Sequence, residues 1–214
     1  HDATNVIAPV IASRAITPSQ AVAIVAVFEF LGPVLGGTAV ANTIGKFVTV
    51  DDVIADKAVV IILCGIVAAI VWNLGTWWIG IPSSSSHALV GGLAGAVVVS
   101  VGADHVLWGF AELSKGHVTG VTKVLIGLII SPLIGFWVGF LLQKLTASVL
   151  VRAKPTANRT LRRSQFLTSA WLAFSHGAND AQKSMGIITL VLVLSGRISE
   201  FVVPFWVILT CASA

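Results

Sequence analysis

Long apolar runs alternate with short polar connections along the whole chain. The runs 19–45, 57–80, 124–150 and 165–194 are each long enough to cross a bilayer core of about 30 Å, at a helical rise of about 1.5 Å per residue. They lack the polar face at helical period that a helix of a soluble protein shows. The pattern therefore predicts an all-α, polytopic membrane protein. Its second helix is expected to begin at Thr17-Pro18, a capping residue followed by a first-turn proline.

The stretch 78–87, Trp-Ile-Gly-Ile-Pro-Ser-Ser-Ser-Ser-His, interrupts the apolar region 57–101. The run that follows it, 88–101, would form a helix of roughly 21 Å, which is too short to span the core. One of the two legs must therefore turn within the membrane. Non-helical backbone at that depth survives only inside protein or against a water-filled cavity. We therefore predict a re-entrant or broken-helix pair, with a tip at 82–87 that lines a polar site.

Composition and charge narrow the class further. The chain is 56% hydrophobic and 10% charged, whereas soluble domains carry about 25% charged residues. Its basic residues concentrate in the connection 151–164, which the positive-inside rule assigns to the cytoplasm. No aromatic residues interleave with them, so a nucleic-acid partner is not expected. Cys64 and Cys211 lie in apolar runs and are expected to be buried, and no metal-ligand spacing predicts a metal site or cofactor.

The predicted topology follows from placing the basic connection inside. The connections 46–56 and 102–123 then lie outside, and the first helix runs in the opposite direction to 165–194. The first helix lacks a beginning, and the last run, 201–214, is too short to span the membrane. The sequence is therefore expected to be an internal piece of a longer protein.

Two polar islands on these oppositely directed helices are related. His-Asp-Ala-Thr-Asn at 1–5 aligns with the island 177–183, so that Asp2 matches Asp180 and Asn5 matches Lys183. Related islands of opposite direction are typical of the inverted repeats of secondary transporters. We predict a first repeat at 1–101, a connecting loop, helix and basic loop at 102–163, and a truncated second repeat at 164–214.

Ionisable residues inside membrane helices indicate a functional site by default, because they are costly to bury there. Asp2, Asp180 and Glu29 are such residues, although Glu29 could instead bond backbone groups freed by a break at Gly32-Pro33. For His87 and His176 two roles stay open, a satisfied core histidine or a ligand or proton carrier. Lys183 has a charge role unless it snorkels. Gly32-x-x-x-Gly36 and Gly91-x-x-x-Gly95 are predicted helix-packing faces.

Three segments carry a family resemblance. HDATNVIAPVIASRA, WNLGTWWIGIPSSSSHALVGG and AFSHGANDAQKSMG resemble, in this order, the PiT family of inorganic phosphate transporters, and the HGANDAQK form is most similar to its bacterial low-affinity branch. The resemblance implies a phosphate importer of the plasma membrane. It implies substrate-binding residues Ser84, Ser85, Ser86, Asp2, Asn179 and Asp180, and coupling-ion residues Asp2, Asn5, Glu29, Asn179 and Asp180.

One departure from the family bears on the coupling ion. Lys183 stands where sodium-coupled members have Asn, which favours protons or a co-transported metal–phosphate complex over sodium. His1 replaces the usual Asn of the first motif. The coupling ion, H⁺ or Na⁺, stays open, as does a homodimer.

The residue types suit an oxyanion. Serine hydroxyls and the N–H groups at a helix start replace the water around an anion without adding permanent charge. A carboxylate can accept the P–OH proton of hydrogen phosphate, which sulfate lacks, so phosphate is favoured over a sulfate permease of the same family. An intramembrane serine hydrolase using His87 or His176 is the alternative of another class. Ser86 and His87 are sequence neighbours without an evident orienting acid, unlike a triad, so an enzyme is not expected.

Overall fold

The computed structural model describes residues 2–45, 57–154 and 157–214, with side chains from residue 6 onward. His1 and the acidic connection 46–56 lie outside the described residues. The described ranges form nine α-helices and no strand: α1 Asp2–Ala12, α2 Pro18–Leu35, α3 Ala39–Gly45, α4 Ala58–Ile79, α5 Ser85–Val101, α6 Phe110–Leu113, α7 Gly120–Leu150, α8 Ala157–Leu194 and α9 Phe205–Ser213. The all-α prediction is confirmed.

The start of α2 confirms the predicted Thr17-Pro18 signal. The Thr17 hydroxyl accepts from the Gln20 backbone N–H, and the Gln20 side chain accepts from the Thr17 N–H. This reciprocal pair satisfies two backbone donors that the helix cannot use itself.

The predicted break at Gly32-Pro33 is wrong, because α2 continues to Leu35. A proline inside a helix removes one backbone hydrogen bond, to the carbonyl four residues earlier, which here is that of Glu29. The ladder resumes at once, since the Gly36 N–H donates to the Gly32 carbonyl at 2.7 Å. The chain leaves the helix at Gly36 and Gly37, where Gly37 has φ +81°, and α3 follows.

The basic connection is shorter than predicted. It was expected to extend as a loop to residue 164, but α8 begins at Ala157 and includes Arg159, Arg162 and Arg163. Arginine, alanine and leucine are strong helix formers, so this charged stretch extends the helix rather than ending it. The helix also runs without interruption through the polar island 177–183.

The chain divides into two compact units that interleave along the sequence. The first comprises residues 1–37, 126–182 and 208–214. One of its cores joins Val6, Val25 and Ala173, and another joins Val10, Ile16 and Ala21. The first of these cores joins α1, α2 and α8, and the second joins the end of α1 to the start of α2.

The second unit comprises residues 38–125 and 183–207. Its α4 and α5 pack against each other, and a core of Ile62, Leu93, Ile187 and Leu190 joins them to the later part of α8. A Cβ on Gly92 would collide with the Gly65 carbonyl oxygen, so backbone touches backbone there. The prediction for Gly91-x-x-x-Gly95 is wrong, because a Cβ on Gly91 or Gly95 would meet no atom within 4 Å.

Packing units are not repeats. The repeat boundaries at 101 and 163 describe a proposed symmetry, and they stay a prediction beside the two units.

Three of the described helices are long and apolar enough to cross a membrane: α2, α4 and α7. α5 has 17 residues, so it is shorter than a full span, as the sequence predicted. Many apolar side chains on α4 are exposed, among them Val67 at 57%, and Cys64 is also exposed rather than buried. An apolar outer surface of this kind suits contact with lipid.

Candidate functional site

The α4–α5 connection forms the predicted serine tip, within a tighter boundary. α4 ends at Gly80, a left-handed cap with φ 77° and ψ 20°, and the next N–H, of Ile81, returns to the Thr76 carbonyl at 2.9 Å. Only 80–84 lie outside the two helices. Ser85, Ser86 and His87, expected in the turn, instead form the first turn of α5, because Ser84 caps that helix by accepting from the His87 N–H at 3.4 Å.

The serines of the tip have different bonding partners. The Ser83 hydroxyl accepts from the indole Nε1–H of Trp72 at 3.2 Å and donates to Asn73 Oδ1 at 3.4 Å. Both partners lie on α4, so Ser83 joins the tip to the helix that precedes it. Ser84 serves the following helix through its cap.

Ser85 carries a contact between the tip and α8. Its hydroxyl oxygen accepts from the Lys183 ammonium at 3.1 Å, and both side chains are half-buried. Lys183 therefore does not snorkel away from the site. The ammonium adds a positive charge to the start of α5, which is already the positive end of the helix dipole. Ser86, the last of the four serines, is half-buried in the same turn.

A groove of about 550 Å³ lies beside the tip, and Trp72, Ser84, His87 and Gly92 are among its lining residues. His87 is exposed on this groove. His87 is therefore not a core histidine among the described residues, and its role as a ligand or proton carrier stays a prediction.

In the first unit the structure brings Glu29 and His176 together. His176 Nδ1 donates to Glu29 Oε1 at 2.9 Å, and their side chains are 26% and 24% exposed. Glu29 thus bonds a side chain of α8 rather than the backbone near Pro33. The two helices can come this close because both contact positions are glycine. A Cβ on Gly32 would lie 2.6 Å from the Ala178 nitrogen, and one on Gly177 would lie 2.6 Å from the Glu29 Cα.

The other predicted site residues lie on α1 and α8. Asn179 is exposed, and its amide donates to the Ser175 carbonyl of its own helix at 3.0 Å. Asp180 is half-buried on α8, four residues after His176. Asp2 and Asn5 lie on α1, but their side chains are outside the described part of the chain. Asn179 and Asp180 belong to the first unit and the serine tip to the second.

Sequence reasoning missed Trp72, Asn73 and Ser83. The available signal was Asn73, a carboxamide in the middle of the otherwise apolar helix α4. An amide at membrane depth needs a partner, and the serines about ten residues further on could supply one. In the described ranges no group of three or more His, Cys, Asp or Glu residues could hold a metal ion.

Comparisons with known proteins point to one family. The model of the family described as "Phosphate transporter family" matches residues 1–160 and 146–214. The chain is 38% identical over its whole length to a "Probable low-affinity inorganic phosphate transporter" of Rhizobium meliloti and 39% identical to one of Bacillus subtilis, and it covers 61% of each. It is 33% identical to the "Low-affinity inorganic phosphate transporter PitA" of Escherichia coli, over 90% of this chain and 42% of that protein.

A solved structure shares the fold. "The sodium-dependent phosphate transporter" superposes with a TM-score of 0.75 at 22% identity, over 99% of this chain and 68% of that one. The chain thus spans about three fifths of the length of the first curated relatives that it matches.

Proposed function

The chain belongs to the phosphate transporter family, and on that premise we propose that it is part of a secondary active carrier that imports inorganic phosphate. It is a multi-pass, all-α protein of the plasma membrane. The family and the named relatives are transporters and not enzymes, and this removes the support for an intramembrane serine hydrolase.

The contact between Lys183 and Ser85 is the observation that carries the proposal. A lysine ammonium and a helix N-terminus are both positive, and a ligand with negative charge lowers the energy of bringing them together. Hydroxyl groups at Ser84, Ser85 and Ser86 surround this point with groups that can donate to phosphate oxygens. The tip is therefore the anion-binding part of the carrier.

Phosphate is preferred to sulfate because hydrogen phosphate carries a P–OH donor that needs an acceptor. The sequence proposes Asp2, Asn179 and Asp180 as further substrate-binding residues, and an aspartate carboxylate is such an acceptor. A sulfate permease of the same family is the second candidate, which the positive charge of Lys183 alone does not exclude.

Protons are the coupling ion that we propose. Histidine is the side chain whose charge changes between about pH 5 and 8, and His176 bonds Glu29 within the membrane helices. The proposal places the coupled proton at this hydrogen-bonded pair, with Asp2, Asn5, Asn179 and Asp180 as further coupling residues. A divalent metal would be carried only as part of a metal–phosphate complex.

The test follows labelled phosphate into cells that lack their own phosphate uptake and express the complete gene. Lys183→Gln should raise the half-saturating phosphate concentration about tenfold, the effect of losing a charged hydrogen bond of about 1.4 kcal/mol. Lys123→Gln is the matched control, because Lys123 also bonds a hydroxyl, that of Thr43 at 3.2 Å, away from the tip. It should transport like the unchanged protein.

The same cells test the anion and the coupling ion. Uptake should ignore excess sulfate, persist when potassium replaces sodium, and stop when a protonophore collapses the proton gradient. Competition by sulfate would move the substrate to that anion. Dependence on sodium would overturn proton coupling, and absence of any uptake by protein that reaches the membrane would overturn the carrier.

A further inference from the structure

Ser83 takes part in a chain of hydrogen bonds whose direction is fixed by chemistry. The indole N–H of Trp72 can only donate, and the carbonyl oxygen of Asn73 can only accept. Ser83 Oγ therefore accepts a hydrogen bond from Trp72 Nε1–H at 3.2 Å, and its own hydroxyl donates one to Asn73 Oδ1 at 3.4 Å.

This direction separates Ser83 from the serines that follow it. A phosphate oxygen needs a donor, and a serine hydroxyl has one proton to give. Ser83 uses that proton in its hydrogen bond to Asn73. Ser84 accepts from the His87 N–H in its cap, so the cap leaves its hydroxyl proton able to point at an anion.

The bonds also hold the shape of the tip. Ser83 lies in the non-helical stretch 80–84, and it bonds α4 about two turns before that helix ends. The turn of α4 that receives it carries a further contact, because the buried Thr76 hydroxyl shares its one proton between the Trp72 carbonyl at 2.9 Å and the Asn73 carbonyl at 3.1 Å.

We propose that Trp72 and Asn73 are positioning residues of the carrier, which act through Ser83 to hold the anion-binding serines in place, and that Ser83 itself does not bind the anion. This role rests on the proposed phosphate transport. We call the three residues the tip strap.

The test measures phosphate uptake by the complete protein, at equal amounts in the membrane, for Trp72→Phe, Asn73→Leu and Ser83→Ala. Trp72→Phe and Asn73→Leu should each raise the half-saturating phosphate concentration about fivefold, as the loss of one neutral hydrogen bond predicts. Ser83→Ala, which loses both bonds, should raise it at least as much, and the maximal rate should change little in all three. Ser83→Thr, which keeps a hydroxyl, should restore uptake. Trp77→Phe is the control, because Trp77 is 61% exposed like Trp72 but lies outside the strap.

Combined variants show whether Trp72 and Asn73 affect phosphate uptake through Ser83 or independently of it. Because all three groups share one hydroxyl, Trp72→Phe together with Asn73→Leu should be no worse than Ser83→Ala alone. A strong effect of Ser83→Ala with none from Trp72→Phe or Asn73→Leu would make Ser83 a direct ligand and overturn the strap. So would Trp72→Phe behaving like Trp77→Phe.

A second measurement does not need transport. Ile81→Cys places a thiol on the exposed tip, in a protein whose two native cysteines are replaced by serine. Ser83→Ala should speed its reaction with a soluble thiol reagent, and an unchanged rate would contradict the strap. If the unchanged protein took up no phosphate, the proposed function would be wrong, but the thiol reaction rate would still test whether Ser83 holds the tip in place.

Discussion

Glycine at two positions decides whether Glu29 and His176 can meet. Their helices, α2 and α8, touch through backbone at Gly32 and Gly177, where any larger residue would place its Cβ against main-chain atoms of the other helix. Main-chain atoms cannot rotate away as a side chain can. The hydrogen bond between Glu29 and His176 is therefore a consequence of close helix packing, of the kind that small residues allow in membranes.

Gly177→Ala should destabilise the first unit by about 1–3 kcal/mol, the usual effect of overpacking, because the new methyl group meets the Glu29 Cα and carbonyl. The midpoint of thermal unfolding of the purified complete protein measures this. Gly95→Ala is the control. Its Cβ would meet no atom within 4 Å, and alanine is the better helix former by about 1 kcal/mol. Equal midpoints for the two variants would contradict the packing seen at Gly177.

At the scale of an element, Ser84 combines two roles at the start of α5. It caps the helix through the His87 N–H, and it stands among the groups proposed to bind the anion. The two roles respond differently to charge, because aspartate is as good an N-cap as serine but repels an anion.

Ser84→Asp should therefore keep the stability of the helix and lose phosphate uptake, whereas Ser84→Ala should lose about 1 kcal/mol of stability. Thermal unfolding and labelled uptake, measured on the same preparations, separate the two effects. Uptake by Ser84→Asp at the level of the unchanged protein would show that the tip does not face the anion.

The elements show where sequence reasoning succeeds and where it stops. The start at Thr17, the serine tip and the short α5 were predictable, since caps, prolines and run lengths act locally. The chain between 157 and 164 was not, because its charge suggested a loop although its residues favour a helix. The role of Ser83 was also not predicted: Asn73 indicates that α4 needs a polar partner, but which serine meets it depends on which face of α4 lies against the tip.

At the scale of the whole molecule, the distribution of charge predicts which connection lies on which side of the membrane. α7 joins the connection 102–119 to the basic connection near Lys154, and as a helix of 31 residues it is apolar and exposed along its spanning part. Its length of roughly 46 Å exceeds the core of about 30 Å, so we predict that it crosses once. The two connections must then lie on opposite sides.

Ser114 and Lys154, one in each connection, are both exposed and can report the side. In a protein without native cysteines, Ser114→Cys should react with a membrane-impermeant maleimide in intact cells, and Lys154→Cys only after the membrane is opened, because basic connections stay in the cytoplasm. The reverse pattern would invert the predicted topology but keep α7 as a span. Reaction of both thiols from outside would mean that α7 does not cross, and α1 and α8 would then no longer be expected to run in opposite directions, which is the basis of the inverted-repeat prediction.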